Sequence, residues 1–172
     1  MFKWIVTPVI AASLLSATVA SAADTEWHTV NEIPGHKVEK EDLVISSLSQ
    51  NGEKQIFVQF DEAIGQPLMS VLYMNAPATT CDGASVSPRK SDTINGEVYP
   101  SSTKCMNGFQ WDSFMGSKAD HEFTETLLGD EDVVVVIKGK EYRWSSENFS
   151  QLAKDDVKNY EENSDYFHPE AE

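Results

Sequence analysis

The chain has only two cysteines, Cys81 and Cys105, among 172 residues. Their spacing is far from Cys-x-x-Cys and neither has a histidine close by in sequence, which removes the usual grounds for a redox dithiol or a thiolate metal pair. Basic residues are also scarce: 13 Lys and Arg stand against 28 Asp and Glu, for a formal net charge of -15. Nucleic acid is thereby excluded as a partner, because phosphate binding needs clustered Lys and Arg. Other chemistry is missing as well. The sequence contains no Gly-x-Ser-x-Gly nucleophile elbow, no Walker phosphate loop, no dinucleotide glycine pattern and no dense histidine cluster. No cofactor and no metal site is therefore expected.

Long apolar runs are confined to the first residues. Lys3 precedes the mostly apolar stretch 4–19, and Ala20-Ser21-Ala22 supplies the small residues of a cleavage site. Residues 1–22 read as a signal peptide removed after Ala22, with no membrane span left afterwards. Removing them from 172 residues leaves 150, enough for one domain with a hydrophobic core. Export to an oxidising compartment, the periplasm or outside of a bacterial cell, makes a Cys81–Cys105 disulfide the expected state, contributing ~3 kcal/mol through restriction of the unfolded chain.

What remains has mainly period-2 patterning. Residues 23–40 form a polar leader with a Pro34-Gly35 turn, in which Trp27 is a small anchor in an otherwise loosely held segment. Leu43 to Leu48 and Lys54 to Phe60 read as strands joined by a hairpin at Asn51-Gly52. In the second strand Ile56, Val58 and Phe60 share a face and Phe57 takes the other. Asp61 to Pro67 is expected to be a turn, followed by a strand over 68–74 with Met69, Val71 and Tyr73 opposite Leu72 and Met74. The Pro-, Ser- and Thr-rich stretch 75–91 reads as a surface excursion held by the disulfide, and Asn95-Gly96 as a second hairpin turn. Asp130 to Glu162 gives the clearest order: the buried strand Val133 to Ile137, a reversal at Lys138-Gly139-Lys140, a return strand to Trp144 and a helix. Ser145 and Ser146 supply the N-cap, and Phe149, Leu152, Ala153, Val157 and Tyr160 form one apolar stripe. Residues 163–172 form an acidic tail.

These elements predict a mainly β, single-domain antiparallel sandwich or small barrel over 41–162, with one C-terminal helix packed on the sheet; the alternative is an α+β fold. The expected function is that of a non-catalytic binding or accessory protein, such as an inhibitor or envelope-stress factor. Its partner would be another envelope or secreted protein of basic character, with a glycan or apolar ligand as the other occupant. The contact residues expected for it are Phe109, Trp111, Phe114 and Met115, an aromatic and apolar concentration within CMNGFQWDSFMG. The competing account of the same segment is core packing along a strand. A structural envelope protein is a further alternative.

His121-Glu122-Phe123-Thr124-Glu125 departs from the zinc-protease pattern HExxH at its last position, and its alternation around Phe123 reads as a strand. An enzyme alternative would gather Asp112, His121 and Glu125 as acid-base groups for hydrolysis of an envelope polymer.

Overall fold

The computed structural model describes residues 25–163 apart from 35, 39–41, 64–65 and 84. The expected signal peptide and nearly all of the acidic tail lie outside the described residues. Among the described residues, eleven strands and two helices follow one another in the order β1 (His28–Thr29), β2 (Glu32–Ile33), β3 (His36–Lys37), β4 (Leu43–Leu48), β5 (Lys54–Ala63), β6 (Gln66–Asn75), β7 (Val86–Ile94), β8 (Glu97–Met106), β9 (Phe109–Phe114), α1 (Ser117–Leu128), β10 (Val133–Ile137), β11 (Lys140–Trp144) and α2 (Phe149–Asn163). Nine of the strands make one antiparallel sheet ordered β1-β4-β5-β6-β9-β8-β7-β10-β11, and β2 pairs with β3. The fold is mainly β with the C-terminal helix on the sheet, as the patterning predicts.

The nine-stranded sheet is not a closed barrel, since β1 and β11 are its two ends. It is nevertheless strongly curled. Five strand spacings separate β6 from β11, ~24 Å in a flat sheet, yet the rings of Tyr73 and Trp144 lie 5.6 Å apart. The Gln50 amide in the β4–β5 turn donates to the Arg143 carbonyl of β11 at 2.9 Å, and Trp27 Nε1 donates to the Ser145 carbonyl at 2.8 Å. Curling buries the inner face around the helices. Ile45, Ile56, Val58, Val71, Tyr73, Ile94, Val133, Val135 and Trp144 pack there against Phe123, Leu127, Phe149, Ala153, Val157 and Tyr160.

A smaller cluster lies on the outer face, where Val44, Phe57, Met74 and Trp111 pack with Ile33 of the β2–β3 hairpin. Both faces of β5 and β6 are thus covered, as their two-sided apolar content requires. The leader is held more firmly than its polarity suggests. Trp27 is buried edge-on against Phe123 and Phe149, with ring centroids 6.4 and 4.9 Å away, and the Asn148 side-chain amide donates to its carbonyl at 3.0 Å.

Three sequence expectations are corrected. Asp61 to Pro67 is mostly strand, because the β5–β6 ladder continues to the pair Ala63↔Gln66. The excursion after Asn75 ends at Val86, where β7 begins and pairs with Lys104 of β8. The segment containing His121 is helix α1. Its buried residues Ala119, Phe123 and Leu127 recur every four positions, a helical stripe that outweighs the short alternation around Phe123. Gly116 and Gly129 stand at its two ends.

Candidate functional site

The aromatic segment forms β9 and divides between the two faces of the sheet. Trp111 is 2% exposed and meets Phe57 edge-on at 5.5 Å on the outer face. Phe114 is 7% exposed and meets Tyr73 and Tyr99 on the inner face at 5.7 and 6.2 Å. Phe109 is half-buried against the outer cluster. Strand alternation sends Trp111 and Phe114 to opposite sides, so the four predicted contact residues do not form one surface. Met115 differs from the others: it is 54% exposed.

Apolar exposure continues beside Met115. Its amide donates to the Pro100 carbonyl of β8 at 2.7 Å, while Pro100 and Val98 are both exposed, Val98 at 58%. Tyr99 and Ser101 of the same strand are buried, which turns Val98 and Pro100 outward. Cys81 and Cys105 form the expected disulfide. It fixes the loop before β7 to the end of β8, next to the outward residues Val86 and Met106.

Asp112, one of the acid-base candidates, sits in a buried ionic network on the inner face. Its Oδ2 accepts from Lys54 Nζ at 2.6 Å; its Oδ1 accepts from Thr103 Oγ1 at 2.6 Å and pairs with Arg89 Nη2 at 3.2 Å and Lys138 Nζ at 3.1 Å. Lys54 Nζ also donates to Asn75 Oδ1 at 2.8 Å. Arg89 Nε donates to Asp92 Oδ2 at 2.7 Å, and Asp92 further accepts from Ser101 Oγ at 2.7 Å and from the Lys138 amide at 2.9 Å. A register shift in the β7–β8 ladder between Arg89 and Asp92 places these two residues, an odd number apart, on the same face.

The electrostatics follow from that geometry. Burial pushes the Asp112 carboxyl upward, but the charge and hydrogen bond of Lys54, the Thr103 hydroxyl and Lys138 outweigh it and hold the carboxyl below its ordinary value. Asp92 is likewise held low against its own burial by Ser101, the Lys138 amide and Arg89. Burial lowers the Lys54 ammonium, with Asp112 acting in the opposite direction. Each of these groups is occupied by others of the network. Asp112 is the shared counter-ion of three cations.

His121 and Glu125 are separated from Asp112 and belong to a different set. Both project from α1 one helical turn apart, and Glu161 of α2 completes a group whose ligand atoms all lie within 4.8 Å of one another. His121 Nδ1 is 3.1 Å from Glu161 Oε1, with both side chains 29% exposed. Burial raises the Glu161 carboxyl, and the adjacent Glu125 raises it further by hydrogen bonding and like charge, against the lowering effect of His121. The three residues thus bring one imidazole and two repelling carboxylates together.

Comparison with protein-family models, curated proteins and solved structures gives no match to this chain. Among the described residues no helix is long and apolar enough to cross a membrane. The Cys81–Cys105 disulfide fits an oxidising, non-cytoplasmic compartment.

Proposed function

We propose that the protein is a non-catalytic binding module of the periplasm or extracellular space, and that it docks a protein partner through the outer face of β8 and the end of β9. The observation that carries this reading is the apolar strip of Val98, Pro100 and Met115, in which Val98 and Met115 are 58% and 54% exposed and Met115 is bonded to the Pro100 backbone two residues from Val98. Exposed aliphatic side chains fixed on strands offer contact area that loses little conformational entropy on binding. The formal net charge of -15 would draw a partner with a basic rim. Of the expected contact set, Met115 stays in the surface. Phe114 anchors β9 to the inner core, and Trp111 with Phe109 anchors it to the outer cluster.

Catalysis has weaker support, because Asp112 is committed to Lys54, Arg89 and Lys138. The test is affinity capture from the native envelope extract with the mature protein and with Val98→Asp and Met115→Asp, each confirmed as folded by circular dichroism. Loss of the same captured protein from both variants, with weaker capture in high salt, is the expected result. Equal capture by parent and variants would remove the strip from consideration, and capture of glycan alone would replace the protein partner.

A further inference from the structure

We propose that His121, Glu125 and Glu161 bind one divalent transition-metal ion, zinc being the ion best suited to the donors. His121 and Glu125 are four residues apart on α1, so helical geometry stacks them on one face, and Glu161 reaches the same point from α2. The candidate ligand atoms already lie within 4.8 Å of one another, and His121 Nδ1 and Glu161 Oε1 are 3.1 Å apart. Donors in a tetrahedral zinc shell of ~2.1 Å radius stand ~3.4 Å apart. That spacing falls between the 3.1 Å of the His121–Glu161 pair and the 4.8 Å that bounds the whole group.

The donor chemistry selects the ion. Imidazole favours zinc and its neighbours in the first transition row, whereas calcium takes six or more oxygen ligands and magnesium keeps most of its water. Three protein ligands also leave a fourth position open. His121 Nδ1 and Glu161 Oε1 are themselves shielded from water, which strengthens their attraction for a cation. Glu125 is exposed and provides the entry side. Two adjacent carboxylates are relieved of their repulsion by a proton or by a cation placed between them, and a metal ion performs that role while tying the last turns of α2 to α1.

The full mature protein, stripped with chelator, is titrated with zinc chloride by calorimetry and followed by thermal unfolding. One ion per chain is expected, with a higher Tm, weaker binding as the pH is lowered because protons compete for the ligands, and no comparable response to calcium at the same concentration. Glu161→Gln and His121→Ala should each weaken binding by ~10-fold or more, while a His28→Ala, His36→Ala variant should bind as the parent does. Cobalt substitution supplies an absorption band that depends on the same residues. Absence of stoichiometric binding by the parent overturns the proposal. So does binding retained by a folded Glu125→Gln, Glu161→Gln variant, or binding lost on removal of His28 and His36.

Discussion

Lys54 Nζ lies 2.6 Å from Asp112 Oδ2, and the two side chains are only 2% and 3% exposed. The contact joins the first residue of β5 to the centre of β9, strands separated by β6 in the sheet. Such a pair fixes arrangement more surely than it adds net stability, because both ions lose their hydration. Removing one partner is another matter. Asp112→Ala would leave Lys54, Arg89 and Lys138 facing one another without their shared counter-ion and is expected to cost ~3–5 kcal/mol in urea unfolding. Lys54→Met should cost less, since Arg89 and Lys138 still neutralise Asp112. Equal and small losses in both variants would show that the network contributes little.

The depressed carboxyls of Asp92 and Asp112 predict a direction for acid unfolding. Each contributes stability that is present above the ordinary carboxyl value of 3.8 and is lost as the pH falls through its lower folded value. Chemical denaturation repeated below pH 4 should therefore show a falling midpoint, and Asp92→Asn should flatten that slope. An unchanged slope would count against an ionised Asp92 in the folded protein.

Asp120 on α1 has the opposite sign. Burial raises its carboxyl well above 3.8, against the lowering effect of a hydrogen bond from the Val71 backbone. Stability from this group is full below 3.8 and declines as the pH rises towards its folded value. Asp120→Asn, which keeps the shape without the charge, is expected to raise the Tm at neutral pH. A lower Tm at every pH would instead assign Asp120 a required ionised role.

The disulfide spans a sequence separation of 24, so the chain-entropy account gives it ~3 kcal/mol. A Cys81→Ser, Cys105→Ser variant should unfold at correspondingly lower urea concentration. Hydrogen exchange should increase first around Thr80 and Cys81, where Thr80 bridges Phe109 and the Cys81 amide donates to the Gly108 carbonyl at 3.0 Å.

Core and surface roles in β9 and the residue that follows it separate cleanly by truncation. Trp111→Ala removes the ring packed on Phe57 and should cost ~3–5 kcal/mol, whereas Met115→Ala should stay within ~0.5 kcal/mol of the parent. A large loss at Met115 with little at Trp111 would reverse their assignment.

The β10–β11 hairpin shows how much local sequence can carry. Val133 to Ile137 has the composition of a buried strand, and Lys138 and Gly139 both adopt the positive φ of a tight reversal, at 55° and 76°. Asn95-Gly96 does the same between β7 and β8, with φ of 50° and 88°. The stripe from Phe149 to Tyr160 likewise specifies the buried face of α2. In α1 the local pattern is divided: Ala119, Phe123 and Leu127 recur at helical spacing, while His121 to Glu125 also alternates like a strand. The longer stripe prevails because it covers the curled sheet.

Sequence by itself determined the antiparallel hairpins, the alternating faces of β5 and β6, the amphipathic α2 and the pairing available to two cysteines, because each depends on neighbours a few residues apart or on having no other partner. Only the tertiary structure decided that Trp111 and Phe114 face opposite clusters, that a bulge turns Arg89 and Asp92 to one side, and that Glu161 meets His121 and Glu125. Those relationships depend on how far the sheet curls and which helix faces meet, and both follow from burial summed over the whole core. The same holds for Lys54 and Asp112, whose charges are separated by 58 positions in the chain and become one contact only when β5, β6 and β9 lie side by side.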